Sequence, residues 1–423
     1  MDDTGASLQA TMSAMGREAR EGAKALRLAT AETRTKAIRA MAEAIRADAV
    51  AILAANARDI EAAKANGLSG PMLDRLMLDE ARLKGVADGV AAVADIPDPL
   101  GVETARWTRP NGLDIARVRT PIGVIAIIYE SRPNVTADAA ALCIRSGNAA
   151  ILRGGSECLH SNLAIHAAVV KGLDAAGLPA SCVQAVRTAD RAAVGMILAG
   201  LDRNIDLIIP RGGKSLVARV QADARAPVLG HLEGLCHTFV HAAADPAKAV
   251  AITVNAKMRR VSICGATETL LVDRAAADKL LPPIAEALKA AGCELRGDEA
   301  SRAIYPMEAA DEADWTCEYL APIIAVAVVD GVEGAAAHIA KYGSGHTDCI
   351  VTEDPAAAER FIALVDSAIV LVNASTQFAD GGEFGFGAEI GIATDKLHAR
   401  GPVGAEQLTT FKYVVRGTGQ TRP

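Results

Sequence analysis

No run of 18 apolar residues occurs anywhere in the sequence, and the longest stretches, such as Pro322 to Val329, are of a length that suits buried strands. A membrane-spanning helix is therefore excluded. Positive charge is not in excess: 44 Lys and Arg face 51 Asp and Glu, a net charge of −7. That balance argues against a nucleic-acid binder, which needs a basic face to neutralise phosphates. There is no Cys-x-x-Cys and no His/Cys spacing of a zinc site among the eight scattered cysteines, so neither a bound metal nor a disulfide framework is expected. The opening Met1-Asp2-Asp3-Thr4 offers neither the basic nor the apolar region of a secretory signal, and a reduced, cytoplasmic protein is expected. Aromatics make up only 3%, and alanine supplies much of the 51% apolar content. This is a folded composition, long enough at roughly 150 residues per domain for two or three domains.

The first ~95 residues read as helices. Arg34 to Ala63 carries Ile38, Met41, Ile45, Ile52 and Ile60 among charged residues, an amphipathic pattern, and Pro97-Asp98-Pro99 closes the block. Trp107 to Arg119 alternates apolar and polar residues around Pro110-Asn111-Gly112, which signals a hairpin. Apolar strands then alternate with helices. Strands are expected at Gly123 to Tyr129, Ala149 to Leu152, Ser181 to Val186, Ile205 to Ile209 and Pro227 to Leu229. Such alternation means parallel pairing, with ligands beyond the C-terminal ends of the strands. A second α/β region begins near 237, with strands at Thr267 to Val272 and Ile323 to Val329, and Phe411 to Arg416 reads as a last strand.

Two nucleotide motifs fail. Gly385-Phe386-Gly387 has Ile390 where the third glycine of a dinucleotide fingerprint belongs, and Gly213-Lys214-Ser215 has Ile208 where a P-loop needs its first glycine. Two strand-end loops are more informative. Leu152-Arg153-Gly154-Gly155-Ser156-Glu157 and Ile209-Pro210-Arg211-Gly212-Gly213-Lys214 each combine glycines with cations, suited to a phosphate, or alternatively to an ordinary solvated turn. Among the cysteines, Cys264 follows Lys257, Arg259 and Arg260 and precedes Gly265. Nearby cations favour a thiolate and glycine permits close approach; the alternative is an inert core thiol. His231 and His237 flank Glu233 and Cys236, while His346 lies in Gly343-Ser344-Gly345-His346-Thr347-Asp348.

Taken in order, these segments resemble the gamma-glutamyl phosphate reductases, a branch of the aldehyde dehydrogenase superfamily. The match spans nearly the whole chain. It rests on Tyr129-Glu130-Ser131-Arg132-Pro133-Asn134-Val135, the two strand-end loops, His231-Leu232-Glu233-Gly234, Asn255-Ala256-Lys257, Cys264, Glu268-Thr269-Leu270-Leu271-Val272 and Tyr342 to Asp348. The resemblance implies an α/β, aldehyde-dehydrogenase-like fold. A Rossmann-type NADP-binding domain would take 1–105 and 120–233, a catalytic domain 234–400, and a β-hairpin oligomerisation element 106–119 with 401–423.

It implies NADPH-dependent reduction of L-glutamyl 5-phosphate to glutamate 5-semialdehyde with release of phosphate, the second step of proline biosynthesis. Cys264 would be the nucleophile, with its own N–H and the Asn134 side chain as oxyanion donors. Arg153, Gly154, Ser156, Glu157, Arg211, Gly212 and Glu318 would hold the cofactor, with Arg153 on the 2′-phosphate. Lys257, Arg259, Ser344, Gly345, His346 and Thr347 would bind the substrate. The expected partners are the small-molecule substrate and further copies of the chain, with no nucleic acid and no membrane. Association with the glutamate 5-kinase that makes this labile substrate stays open, as does a hydrolytic NAD(P)-dependent aldehyde dehydrogenase using Glu233 as base.

Overall fold

The computed structural model describes residues 3–68 and 70–422. By internal contacts the chain divides into two units, one of 1–230, 385–391 and 403–423, the other of 231–384 and 392–402. The main division thus falls three residues before the expected 233/234 boundary, and the hairpin belongs to the first unit's contacts. Two further segments return to that unit late in the chain: 403–423, expected beside the hairpin, and 385–391, which was not expected there.

In the first unit, helices Asp3–Leu28, Ala31–Ala47, Ala49–Ala65, Gly70–Leu76 and Glu80–Val93 precede the sheet. The single amphipathic run expected over Arg34 to Ala63 is two helices: at Asp48 the backbone leaves helical ψ, and its N–H closes the first helix on the Ala44 carbonyl. Strand β1 (Glu103–Thr108) pairs antiparallel with β2 (Asp114–Pro121), which also pairs with Thr409–Arg416. Strands β3 (Val124–Tyr129), β4 (Ala149–Arg153), β5 (Val183–Ala185) and β6 (Leu207–Arg211) form a parallel sheet in the order β5-β4-β3-β6. The expected strand at Pro227 to Leu229 is only a bridge, Ile208 to Val228. Every residue of β3 and β4 is buried, because helices cover both faces. Met12 and Ala19 of the first helix pack on Val124, Ala126, Ile128 and Ile151.

The second unit holds β7 (Cys236–Val240), β8 (Thr267–Asp273), β9 (Glu294–Gly297), β10 (Glu308–Ala309), β11 (Ile323–Val329), β12 (Thr347–Val351) and β13 (Ile369–Val372). They form one parallel sheet in the order β10-β9-β11-β8-β7-β12-β13. Alternation sorts the side chains: Leu270 and Val272 meet Leu280, Leu281 and Ile284 of helix Ala277–Ala290, while Leu271 and Phe239 meet Ile339 and Phe361 on the other face. Among the described residues no helix is long and apolar enough to cross a membrane.

Candidate active site

Cys264 lies in the turn between helix Pro246–Met258 and β8. Asp245 caps that helix by accepting the Lys248 N–H at 2.9 Å, and Pro246 pre-sets its first turn. Of the eight thiols, only Cys264 and Cys317 are partly exposed. Burial pushes Cys143, Cys158, Cys182, Cys293 and Cys349 up to about 12 and Cys236 well above its ordinary range, and it raises Cys317 too. None of those seven is poised as a thiolate.

Around Cys264 the structure brings together residues far apart in sequence. One ligating atom each of Cys264, His231 and His346 lie within 4.8 Å of one another, and the two imidazoles meet edge to face at 4.9 Å. His231 Nδ1 lies 2.8 Å from the Ile392 carbonyl, and His346 Nδ1 lies 2.8 Å from the Thr347 hydroxyl. Cys236 donates its S–H to the Cys264 carbonyl at 3.0 Å. Gly234 passes so close that a Cβ there would lie 2.1 Å from the Cys264 carbonyl oxygen. The Gly234 N–H donates to Glu318 at 2.9 Å, and the Leu235 N–H to Ser344 Oγ at 2.9 Å. All these groups gather where β7, β8 and β12 begin. They are carried by the loops that enter this sheet at those strand starts.

Lys257 does not stand free for a phosphate, whereas Arg259 is open to solvent. Lys257 is fully buried and its Nζ lies 2.5 Å from Glu268, while Arg259 is exposed and reaches the Gln377 side chain at 3.3 Å. Glu268 is the extra residue of a bulge in β8, where Cys236 faces Thr267 and His237 faces Thr269. Burial lifts its carboxyl to about 7 against the pull of Lys257, and its other oxygen accepts the Leu320 N–H at 3.4 Å. Of the three cations before Cys264, Lys257 is thus engaged with a carboxyl group, while Arg259 and Arg260 are exposed. Thr347 is buried too and its hydroxyl is engaged with His346, whereas Ser344 and Gly345 are half-buried on the turn before β12. No local signal marks Cys236, Glu268 or Gln377, whose partners come from other elements.

In the first unit the strand order reverses between β3 and β6, where a crevice at the C-terminal strand ends is expected in such sheets. The loops there are laced together. Glu157 accepts the Ser131 N–H at 2.6 Å and its hydroxyl at 2.8 Å, and Glu130 accepts the Gly213 N–H at 2.9 Å. A Cβ on Gly154 would lie 1.9 Å from the Asn162 amide, and one on Gly212 2.4 Å from Glu130. Arg211 ends β6, and Ser156 is exposed at the start of a short turn. Arg153 departs from its expected place on a 2′-phosphate: its side chain is buried and donates to the carbonyls of Gly154 and Ala189, bracing the turn. Asn134 precedes helix Val135–Arg145 and donates to Asp138 at 2.9 Å; burial lifts that carboxyl to about 6.

Comparison with known proteins agrees with this geometry. Residues 3–308 match the profile of the aldehyde dehydrogenase family. The gamma-glutamyl phosphate reductase of Caulobacter vibrioides is 81% identical over 97% of this chain and all of its own length. That of Hyphomonas neptunium is 65% identical over 99% of this chain and 98% of its own. The crystal structure of the gamma-glutamyl phosphate reductase of Thermotoga maritima superposes with a TM-score of 0.95 at 44% identity, covering 97% of this chain and 100% of that one. An acetylating aldehyde dehydrogenase from Geobacillus thermoglucosidasius shares the fold, with a TM-score of 0.69 at 19% identity and full coverage of both chains.

Proposed function

The chain belongs to the aldehyde dehydrogenase family, and we propose that it reduces L-glutamyl 5-phosphate to glutamate 5-semialdehyde, releasing phosphate, in the second step of proline biosynthesis. The relatives above, which carry that activity in their names and align over their whole length, support the reaction. The observation that carries the chemistry is the setting of Cys264, a partly exposed thiol against His231 and His346, while Cys236 and the other core thiols are locked by burial.

Cys264 Sγ attacks the acyl phosphate carbon, the C–O bond to phosphate breaks, and a thioester remains on the enzyme. NADPH, held by the residues named below, would supply hydride to that carbon. The resulting oxyanion collapses, the C–S bond breaks, and aldehyde leaves with Cys264 restored as thiolate. The Cys264 N–H is the proposed oxyanion donor, together with Asn134, whose amide has a second N–H besides the one given to Asp138. Glu318, anchored by the Gly234 N–H, is proposed to hold the nicotinamide ribose. Gly154, Ser156, Glu157, Arg211 and Gly212 are proposed for the rest of the cofactor; they lie at the C-terminal ends of β4 and β6, where the strand order reverses. Ser344, Gly345 and His346 are proposed to receive substrate, with Arg259 for its phosphate and Lys257 acting through Glu268. The exposed hairpin supports a homo-oligomer, and eight cysteines with no disulfide among them support a cytoplasmic enzyme.

The reverse reaction tests the proposal: NADP⁺ reduction by glutamate semialdehyde, with and without inorganic phosphate, in wild type and Cys264→Ala. Phosphate-dependent turnover that disappears in the variant is expected. Turnover without phosphate would instead make the protein a hydrolytic dehydrogenase and return Glu233 as its base.

A further inference from the structure

The donor set around Cys264 suits a second chemistry besides acyl transfer. Thiolate sulfur and imidazole nitrogen are the ligands borderline-soft cations select, and one sulfur with two nitrogens leaves a fourth, open position. The three ligating atoms lie within 4.8 Å of one another. A tetrahedral zinc needs separations of about 3.5 Å, so a shift of about 1 Å among side chains closes the set. Two of the three, His231 and Cys264, are only half-buried and border solvent, while His346 is fully buried.

Two further observations aim the imidazoles. His346 Nε2 is buried and has no hydrogen-bond partner, an arrangement that costs free energy unless something occupies it. Its other nitrogen is held by the Thr347 hydroxyl, and His231 Nδ1 is held by the Ile392 carbonyl. Such second partners fix the tautomer and orient the ring of a metal-ligating histidine. Neither contact involves a charged group, so the site gains its negative charge from the Cys264 thiolate alone.

We propose that Cys264, His231 and His346 form a site for a soft divalent cation such as Zn²⁺, and that its occupancy masks the nucleophile reversibly. On binding, the S–H bond breaks, a sulfur–metal bond forms, the proton passes to solvent, and no electron is exchanged. Hard cations that prefer oxygen, such as Mg²⁺, are not retained. The sequence shows none of the usual spacings because its three ligands come from before β7, before β8 and before β12.

The test uses the full chain stripped of metal by a chelator and needs no substrate, so its outcome is independent of the proposed reaction. Zn²⁺ is titrated in competition with a chromophoric chelator, and iodoacetamide labelling of Cys264 is followed by peptide mass. One Zn²⁺ per chain and labelling slowed about tenfold or more are expected, with Mg²⁺ without effect. Co²⁺ in place of Zn²⁺ should give a thiolate-to-cobalt charge-transfer band that Cys264→Ala removes. Thr347→Val, which takes away the hydroxyl 2.8 Å from His346 Nδ1 and leaves the Cys236 Sγ contact at 3.6 Å, should weaken Zn²⁺ binding about tenfold. Cys264 labelled at one rate with and without Zn²⁺ in the wild type would overturn the proposal. So would Zn²⁺ binding that persists unchanged in a Cys264→Ala protein with wild-type circular dichroism.

Discussion

His338 shows how a single residue sets a pH dependence. Its ring is enclosed by Trp315, His237 and Tyr342, with centroids 5.4, 5.5 and 4.7 Å away. Burial, reinforced by His237, lowers its pKa to about 3. The unfolded chain therefore binds a proton below about 6.5 that the folded chain refuses until about 3. Stability is fully present above 6.5 and lost as the pH falls through that window, with a slope of at most about 1.4 kcal/mol per pH unit from this group. His338→Gln should flatten the acid limb of a plot of unfolding free energy against pH; an unchanged slope would remove His338 from the account. Gly234 sets a different limit. A methyl there collides with the backbone of Cys264, and misplacing a nucleophile by about 1 Å costs about 100-fold in rate. Gly234→Ala should therefore lose turnover by about that factor, measured in the semialdehyde assay, with cooperative unfolding retained.

At the scale of elements, the pair of Lys257 at the end of helix Pro246–Met258 and Glu268 in the β8 bulge joins the two pieces of chain on either side of Cys264. Both side chains are almost completely buried, so removing one partner strands a charge at a cost of about 3–5 kcal/mol. Lys257→Met alone should be strongly destabilising, and Lys257→Met with Glu268→Leu should recover most of the loss in urea unfolding. Near-additive losses would show that the pair does not act as a unit. Neither residue advertises this role, because what joins them is a bulge in β8, and register is a tertiary property.

The same reason separates what the chain made legible from what it hid. Val124–Tyr129 and Ile323–Val329 read as strands since burial on both faces leaves only apolar residues. Cys236–Val240 and Thr347–Val351 were obscured by polar side chains that satisfy one another across the sheet, His237 with Asp348 at 2.8 Å and Thr238 with Thr267 at 2.7 Å. Cys264 stood out through its cations and glycine, yet its setting comes from His231, Cys236 and His346, which only the fold brings near.

For the whole molecule, the outer strands of the three-stranded sheet leave an apolar face in water. Trp107, Phe411, Tyr413 and Val415 are all well exposed, with Phe411 and Trp107 packed edge-on against Tyr413. Such a patch on sheet edges supports the homo-oligomer proposed above. Trp107→Glu with Tyr413→Glu should reduce the mass seen by light scattering while leaving the circular dichroism intact; an unchanged mass would place the contact elsewhere.

The pairing of β2 with Thr409–Arg416 has a consequence in time. The first unit is built almost wholly from the opening 230 residues, yet its hairpin sheet is closed by the last segment of the chain. Asn148, buried beside β4, likewise gives one amide hydrogen to the carbonyl of Leu408. On the ribosome the unit made first cannot be completed until the other has been synthesised. During that interval β2 waits with one edge unpaired. A transcript cut short near its 3′ end would leave the first-made half of the protein unfinished, although every residue of the Cys264 turn had been translated.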